Sequence, residues 1–138
     1  MKNTKVGIWL DYRAANIITL KGEDVTYNTI ESGIDDSKPR GGSRPKNAYG
    51  PVDTVSEKHF LERRKHKEKA YYETLMTAVK EVDELFVFGP AEAKDGLLKA
   101  IKTNKNFKPA FKGIETADSM TKNQKIAKVR AFYAGVTA

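Results

Sequence analysis

The first thirty residues alternate between short apolar runs and polar turns. Three runs have the length and residue types of β-strands. They span Lys5 to Leu10, Ala14 to Leu20 and Val25 to Ile30. Polar residues that favour turns separate them, at positions 11–13 and 21–24. The pattern therefore predicts an antiparallel meander of three strands.

A polar, glycine-rich segment follows, from Gly33 to Asp53. It contains four glycines, three prolines and almost no apolar side chain. Burial of such a segment cannot offset the entropy lost when it is ordered, so we predict a mobile loop over residues 33–53. A structureless loop of this length in a compact domain is usually functional, and we interpret it so. The alternative is a dispensable, solvated insertion.

Helical periodicity begins after this loop. Thr54 and Glu57 have the spacing of a capping box, and neither glycine nor proline occurs between them and Gly89. A helix from about Thr54 to Val82 is predicted. Its apolar stripe is continuous only in the second half, at Tyr71, Tyr72, Leu75, Met76, Val79 and Val82. We expect this half to pack on the sheet and the first half to project from it.

The remainder of the chain predicts strand, helix, strand and helix. These elements are a buried strand from Glu84 to Phe88, a turn at Gly89–Pro90, a helix from about Ala91 to Thr103, a strand from Lys108 to Thr116 with Ala110, Phe111 and Ile114 as apolar members, and a helix opened by the capping-box pair Thr121 and Gln124. Strands that alternate with helices imply parallel pairing. The predicted fold class is α/β: a mixed sheet of about five strands, with the antiparallel meander first and the parallel part after it, covered by about three helices. At 138 residues we expect one domain spanning residues 1–138.

The positive charge is large and clustered. The net charge is +7, and residues 57–69 hold six Lys or Arg against three Glu. Such clusters favour a polyanionic partner. The candidate RNA-binding residues lie in the loop and in the first half of the long helix, and are Lys38, Arg40, Arg44, Lys46, Arg63, Arg64, Lys65 and Lys67. A solvated helix face is the alternative interpretation.

Several classes of protein are disfavoured. The chain has no cysteine and only two histidines, His59 and His66, so we expect no metal site and no cofactor. No apolar run reaches the length of a membrane span, and the first residues lack the pattern of a secretory signal, which predicts a cytosolic protein without a membrane partner.

Residues suited to catalysis are few. Asp11, Glu31 and Asp118 fall near strand ends, and metal-dependent nucleases place an essential aspartate where Asp11 lies. Two-metal chemistry requires several acids that converge on one point, the candidates here are few, and Asp11 fits an ordinary turn. Ser43 and Ser56 have no histidine and acid partners at a recognisable spacing. The turn before Lys94 opens a helix, which favours anions, although a plain tight turn explains it more simply.

The order and spacing of these features resemble the central domain of archaeal and eukaryotic class I peptide-release factors. The same domain recurs in Pelota-type ribosome-rescue factors and in stand-alone bacterial relatives. The resemblance rests on the three-strand start, the loop with Pro39-Arg40-Gly41-Gly42, the segment HFLERRKHKEKAYYETL, and Gly89–Pro90 followed by Ala93–Lys94. It implies a bacterial protein with a ribonuclease H-like fold and a surface that faces the ribosome or tRNA.

The catalytic loop of the release factors is matched only in part. Their loop carries Gly-Gly-Gln, whose glutamine helps water attack the ester of peptidyl-tRNA. Here Gly41 and Gly42 match, and Ser43 occupies the third position with a side chain too short to replace the glutamine. The resemblance therefore implies RNA binding in translation. The alternatives are a peptidyl-tRNA hydrolase whose backbone amides orient water, and a protein-interaction module whose loop folds on a protein partner.

Overall fold

The computed structural model describes residues 4–34, 50–90 and 92–135, with side chains of the long helix described from residue 58 onward. Five strands and three helices occur in these ranges. They are β1 (Thr4–Leu10), β2 (Ala14–Lys21), β3 (Asp24–Glu31), α1 (Gly50–Ala78), β4 (Glu84–Gly89), α2 (Ala93–Thr103), β5 (Ala110–Thr116) and α3 (Lys122–Tyr133). None of these helices combines the length and apolar character needed to cross a bilayer.

The strands form one mixed sheet in the order β3-β2-β1-β4-β5. β1 pairs antiparallel with β2, and β2 with β3, whereas β1 with β4 and β4 with β5 are parallel pairs. The predicted α/β class and mixed sheet are therefore confirmed. β1 lies at the centre because it joins the antiparallel meander to the parallel part.

Alternation along β1 divides the core between two faces of the sheet. Val6, Ile8 and Leu10 point to the face covered by α1 and α2, and Trp9 points to the face covered by α3. Successive side chains of a strand point to opposite faces, so one strand supplies both layers. All four are nearly or fully buried, as expected for a strand with helices on both sides.

The second half of α1 packs on the sheet as predicted. Its buried side chains are Tyr71, Tyr72, Leu75, Met76 and Val79. Each fully buried side chain of this size contributes roughly 1.5–3 kcal/mol, so this stripe fixes the helix to the domain. In contrast, Leu61 in the first half is 57% exposed.

The predicted ends of α1 are wrong by four residues each. The helix begins at Gly50 rather than Thr54, so Thr54 lies inside the helix and does not cap it. Pro51 is compatible with the earlier start because the first turn of a helix leaves its N–H groups unpaired. At the other end the helix stops at Ala78, where the N–H of Lys80 bonds the carbonyl of Thr77 instead of continuing the helical ladder.

The predicted loop is only partly covered by the structure. Residues 50–53 belong to α1, and Ile34 is buried in the core beside the sheet, so both ends of the segment differ from the expected loop. Residues 35–49 lie outside the described residues.

Smaller differences occur at α2 and β5, and α3 begins as predicted. α2 starts at Ala93 rather than Ala91, and β5 starts at Ala110 rather than Lys108. Ala110 is exposed instead of lying in the apolar core, whereas Phe111 and Ile114 pack against the core. Thr121 accepts a hydrogen bond from the backbone N–H of Gln124, whose side chain bonds the N–H of Thr121 in return. The capping box of α3 is thus confirmed.

Candidate nucleic-acid interface

Three parallel strands end at the same edge of the sheet, and α1 is attached there. Ligands of open α/β sheets bind at the carboxyl ends of the strands, so this edge is the natural place for a site. The hydroxyl of Tyr71 donates a hydrogen bond of 2.9 Å to the carbonyl of Asp11, which directly follows β1. This bond joins the second half of α1 to the β1–β2 turn.

Asp11 shapes that turn, as predicted. Its Oδ1 accepts hydrogen bonds from the backbone N–H groups of Arg13 at 2.8 Å and Ala14 at 3.0 Å. Within residues 4–34, 50–90 and 92–135, no three acidic, histidine or cysteine side chains are grouped so that they could hold a metal ion. The carboxylate of Asp11 therefore has a structural role in the turn.

The tight turn after β4 brings two strand ends close together. Gly89 has φ of 150°, and a Cβ there would lie 2.3 Å from the carbonyl oxygen of Leu10, so only glycine lets the two strand ends approach so closely. Lys94, in the first turn of α2, is 6% exposed and lies 3.8 Å from a carboxylate oxygen of Asp95. The interpretation as a plain tight turn agrees with this burial.

The basic segment of α1, residues 58–69, carries cations on two sides of the helix. Arg63 and Lys67 are one helical turn apart on one side, and Lys65 and Lys69 are one turn apart on the side that faces α2. All four are exposed, and no carboxylate of the described residues lies within ion-pair distance of them. Like charges at this spacing destabilise a helix by roughly 0.2–0.5 kcal/mol per pair, so stability does not explain them.

Arg64 differs from its neighbours because it is held in place. Its Nε bonds Oε2 of Glu68 at 3.1 Å, and its guanidinium lies 5.3 Å from the ring centroid of Tyr12. Burial raises the pKa of the Tyr12 hydroxyl, and the charge of Glu68 adds to that effect. Arg64 thus holds the middle of α1 against the β1–β2 turn, whereas the side chain of Arg63 is exposed.

A groove between α1 and α2 lies beside the basic segment, and sequence reasoning missed it. We call it the α1–α2 groove; its volume is about 700 Å³. Its lining residues are Tyr12, Lys65, Glu68, Lys69, Tyr72, Glu73, Met76, Gly96, Lys99, Ala100, Thr103 and Asn104. The one local signal is Gly96, since a glycine inside a helix usually has a packing reason. A Cβ there would lie 2.3 Å from the hydroxyl of Tyr72, so its absence lets the two helices meet closely.

A buried lysine on α3 was also missed. Lys125 is 8% exposed; its ammonium donates a hydrogen bond to Oδ1 of Asn16 and lies 3.8 Å from the ring centroid of Trp9. Asn16 in turn donates to Thr29 at 3.0 Å. Burial lowers the pKa of Lys125, and the nearby Asp11 opposes that shift. The contacts attach α3 to the sheet.

Comparison with known proteins identifies the fold. No protein-family model matches the chain, and no curated protein matches it significantly. Among solved structures, the Pelota protein of Thermoplasma acidophilum matches with a TM-score of 0.54 and 13% identity, over 99% of this chain and 33% of its own. This chain is similar in fold to Pelota. An archaeal translation termination factor, aRF1, matches with a TM-score of 0.49 and 15% identity, over 97% of this chain and 38% of its own.

The likeness to Pelota concerns the fold, and the chain spans about a third of the Pelota chain. On this Pelota-like fold, the structure brings four of the predicted RNA-binding residues together on α1, three of them exposed and one, Arg64, held in place. The other four, Lys38, Arg40, Arg44 and Lys46, lie outside the described residues, as do Gly41, Gly42 and Ser43. RNA binding by any of them stays a prediction.

Proposed function

We propose that this protein binds structured RNA, on the ribosome or on tRNA, through the basic segment of α1. The single observation that carries the proposal is a set of exposed cations, Arg63, Lys65, Lys67 and Lys69, for which no described residue supplies a carboxylate partner. They lie on a helix whose other half is fixed to the sheet. Phosphate groups are bound by Lys and Arg, and contacts from a rigid element fix the orientation of a protein on a nucleic acid.

The choice of RNA target comes from the resemblance in sequence pattern to release and rescue factors. The fold likeness to Pelota supports a related architecture. A protein that acts on ribosomes or tRNA would work in the cytosol, and this location is part of the proposal. The proposed function does not include hydrolysis of peptidyl-tRNA, because Ser43 occupies the position at which the release factors have glutamine.

Salt dependence is the first test. If six or more phosphates are contacted, affinity should fall by about 10³-fold or more between ~50 and ~200 mM salt. Cosedimentation with ribosomes and gel shifts with tRNA, at several salt concentrations, measure this slope. Absence of binding by the wild-type protein at the lowest salt would refute the proposal.

Charge reversal locates the interface. The double variant Arg63→Glu/Lys67→Glu should bind RNA at least about tenfold more weakly and reduce the salt slope by roughly 1.4–1.8, because two phosphate contacts are lost. The matched control is Lys108→Glu/Lys112→Glu, which makes the same change in net charge at exposed positions of β5 and the segment before it, away from α1. Equal losses in both variants would show only a net-charge effect and would contradict the assignment to α1.

A further inference from the structure

The α1–α2 groove has the volume of a small-molecule site. Its volume of about 700 Å³ falls within the roughly 300–1,000 Å³ of typical ligand sites. Its walls come from two helices that pack on the same face of the sheet, α1 through Tyr72 and Met76, α2 through Leu97 and Ile101. Both walls are fixed by the core, so the groove is preformed.

The floor of the groove is apolar with a hydroxyl at one side. Met76 and Ala100 supply aliphatic surface, and the ring of Tyr72 packs directly against Gly96 at one side of the floor. Burial, more than any other effect, raises the pKa of the Tyr72 hydroxyl. A flat aromatic base can contact such a floor through its face while its edge meets hydrogen-bonding groups.

The rim of the groove is rich in unpaired cations. Lys65 and Lys69 stand on the α1 side and Lys99 on the α2 side; all three are exposed, and among the described residues no carboxylate pairs with them. Of the two acids in the lining, Glu68 is paired with Arg64 and Glu73 is exposed, so the three lysines outnumber the one remaining carboxylate. The rim therefore complements an anion, with ammonium groups on both walls.

We infer that the α1–α2 groove holds one unpaired nucleotide of the bound RNA. Its base lies on the floor formed by Met76 and Ala100, and its flanking phosphates meet Lys99 on one wall and Lys65 and Lys69 on the other. An amide NH₂ of Asn104, whose Oδ1 accepts from the N–H of Asn106, is available to the base edge. This inference rests on the proposed function, since the same helix that binds the RNA backbone forms one wall of the groove.

The test uses an RNA hairpin with a single 2-aminopurine in its loop and, for comparison, a fully paired duplex of equal length. We expect the 2-aminopurine fluorescence to change when the wild-type protein binds the hairpin, because the base leaves water for the groove. Lys99→Glu should weaken binding to the hairpin about tenfold and binding to the duplex much less. Its matched control is Lys102→Glu, which makes the same reversal on an exposed position of α2 that does not line the groove.

A second variant tests the floor without changing charge. Ala100→Met adds volume to the floor, so it should abolish the fluorescence change while retaining phosphate-dependent affinity for the duplex. Urea unfolding of Lys99→Glu and Ala100→Met measures whether each variant is as stably folded as the wild type.

Two results would overturn the inference while leaving RNA binding intact. One is that Lys99→Glu and Ala100→Met bind the hairpin as the wild type does, although Arg63→Glu/Lys67→Glu still weakens binding. The other is that free adenosine monophosphate binds the groove as tightly as the hairpin does, since the site would then serve a free nucleotide. If the wild type binds no RNA at low salt, the proposed function itself fails.

Discussion

Replacing Tyr71 with phenylalanine should have opposite effects on stability at neutral and at alkaline pH. Tyr71 is 2% exposed, and its hydroxyl donates to the carbonyl of Asp11 at 2.9 Å. Burial raises its pKa well above the ordinary value of 10.0, and the charges of Asp11 and Tyr72 add to the effect. The folded protein therefore keeps the phenol protonated at a pH where the unfolded chain releases the proton.

The magnitude follows from linkage. Because the folded-state pKa is raised, the stabilising effect is fully present below pH 10.0 and is lost as the pH rises above that value toward the folded-state pKa. At about pH 11 the unfolded tyrosine is roughly 90% ionised, which lowers the free energy of unfolding of the wild type by about 1.4 kcal/mol. Phenylalanine does not share this loss.

At about pH 8 the variant should be less stable than the wild type by about 1 kcal/mol, the typical net value of an intramolecular hydrogen bond. The two effects cancel near pH ~10.7, and at about pH 11 the variant should be the more stable protein by roughly 0.4 kcal/mol. Urea unfolding followed by far-UV circular dichroism at both pH values measures the difference.

Thr74→Ala is the matched control. Thr74 lies on the same helix and donates a hydrogen bond to the carbonyl of Ala70, but its hydroxyl does not titrate in this range. Its effect on stability should be the same at both pH values. A difference between Tyr71→Phe and wild type that stays constant from neutral to alkaline pH would refute the reasoning.

Two further substitutions test how α3 is attached to the sheet. Gly7→Ala should destabilise the protein by about 1–3 kcal/mol, because the new Cβ would lie 2.3 Å from Cγ2 of the fully buried Val129. Adding Val129→Ala should recover part of this loss, as measured by urea unfolding. Strictly additive effects of the two substitutions would contradict the contact. Lys125→Met removes a buried ammonium group, and burial lowers the pKa of that group in the folded protein. The wild type should therefore gain stability relative to this variant as the pH rises toward 10.5. If urea unfolding gives the same difference in stability at neutral pH and at about pH 10, this prediction is wrong.

Part of the candidate site was accessible from the sequence. The run of Lys and Arg in residues 57–69 and the late start of the apolar stripe together predict a basic, projecting half of α1, and the exposed Arg63 agrees with that prediction. Arg64 could not be distinguished from Arg63, because its partner Tyr12 lies 52 positions away and no local pattern reports that contact. The α1–α2 groove was missed for the same reason.

The sequence by itself determined the type and order of the elements, since the spacing of apolar residues and the pair Thr121 and Gln124 act within a few residues of one another. The tertiary structure alone decided what lies beside what. It placed β1 between β2 and β4, buried Lys125 against Trp9, and set the lysines of α1 across a groove from Lys99. Such neighbours are brought together by packing of distant segments, and the free energy that selects them depends on surfaces which exist only after the chain has folded.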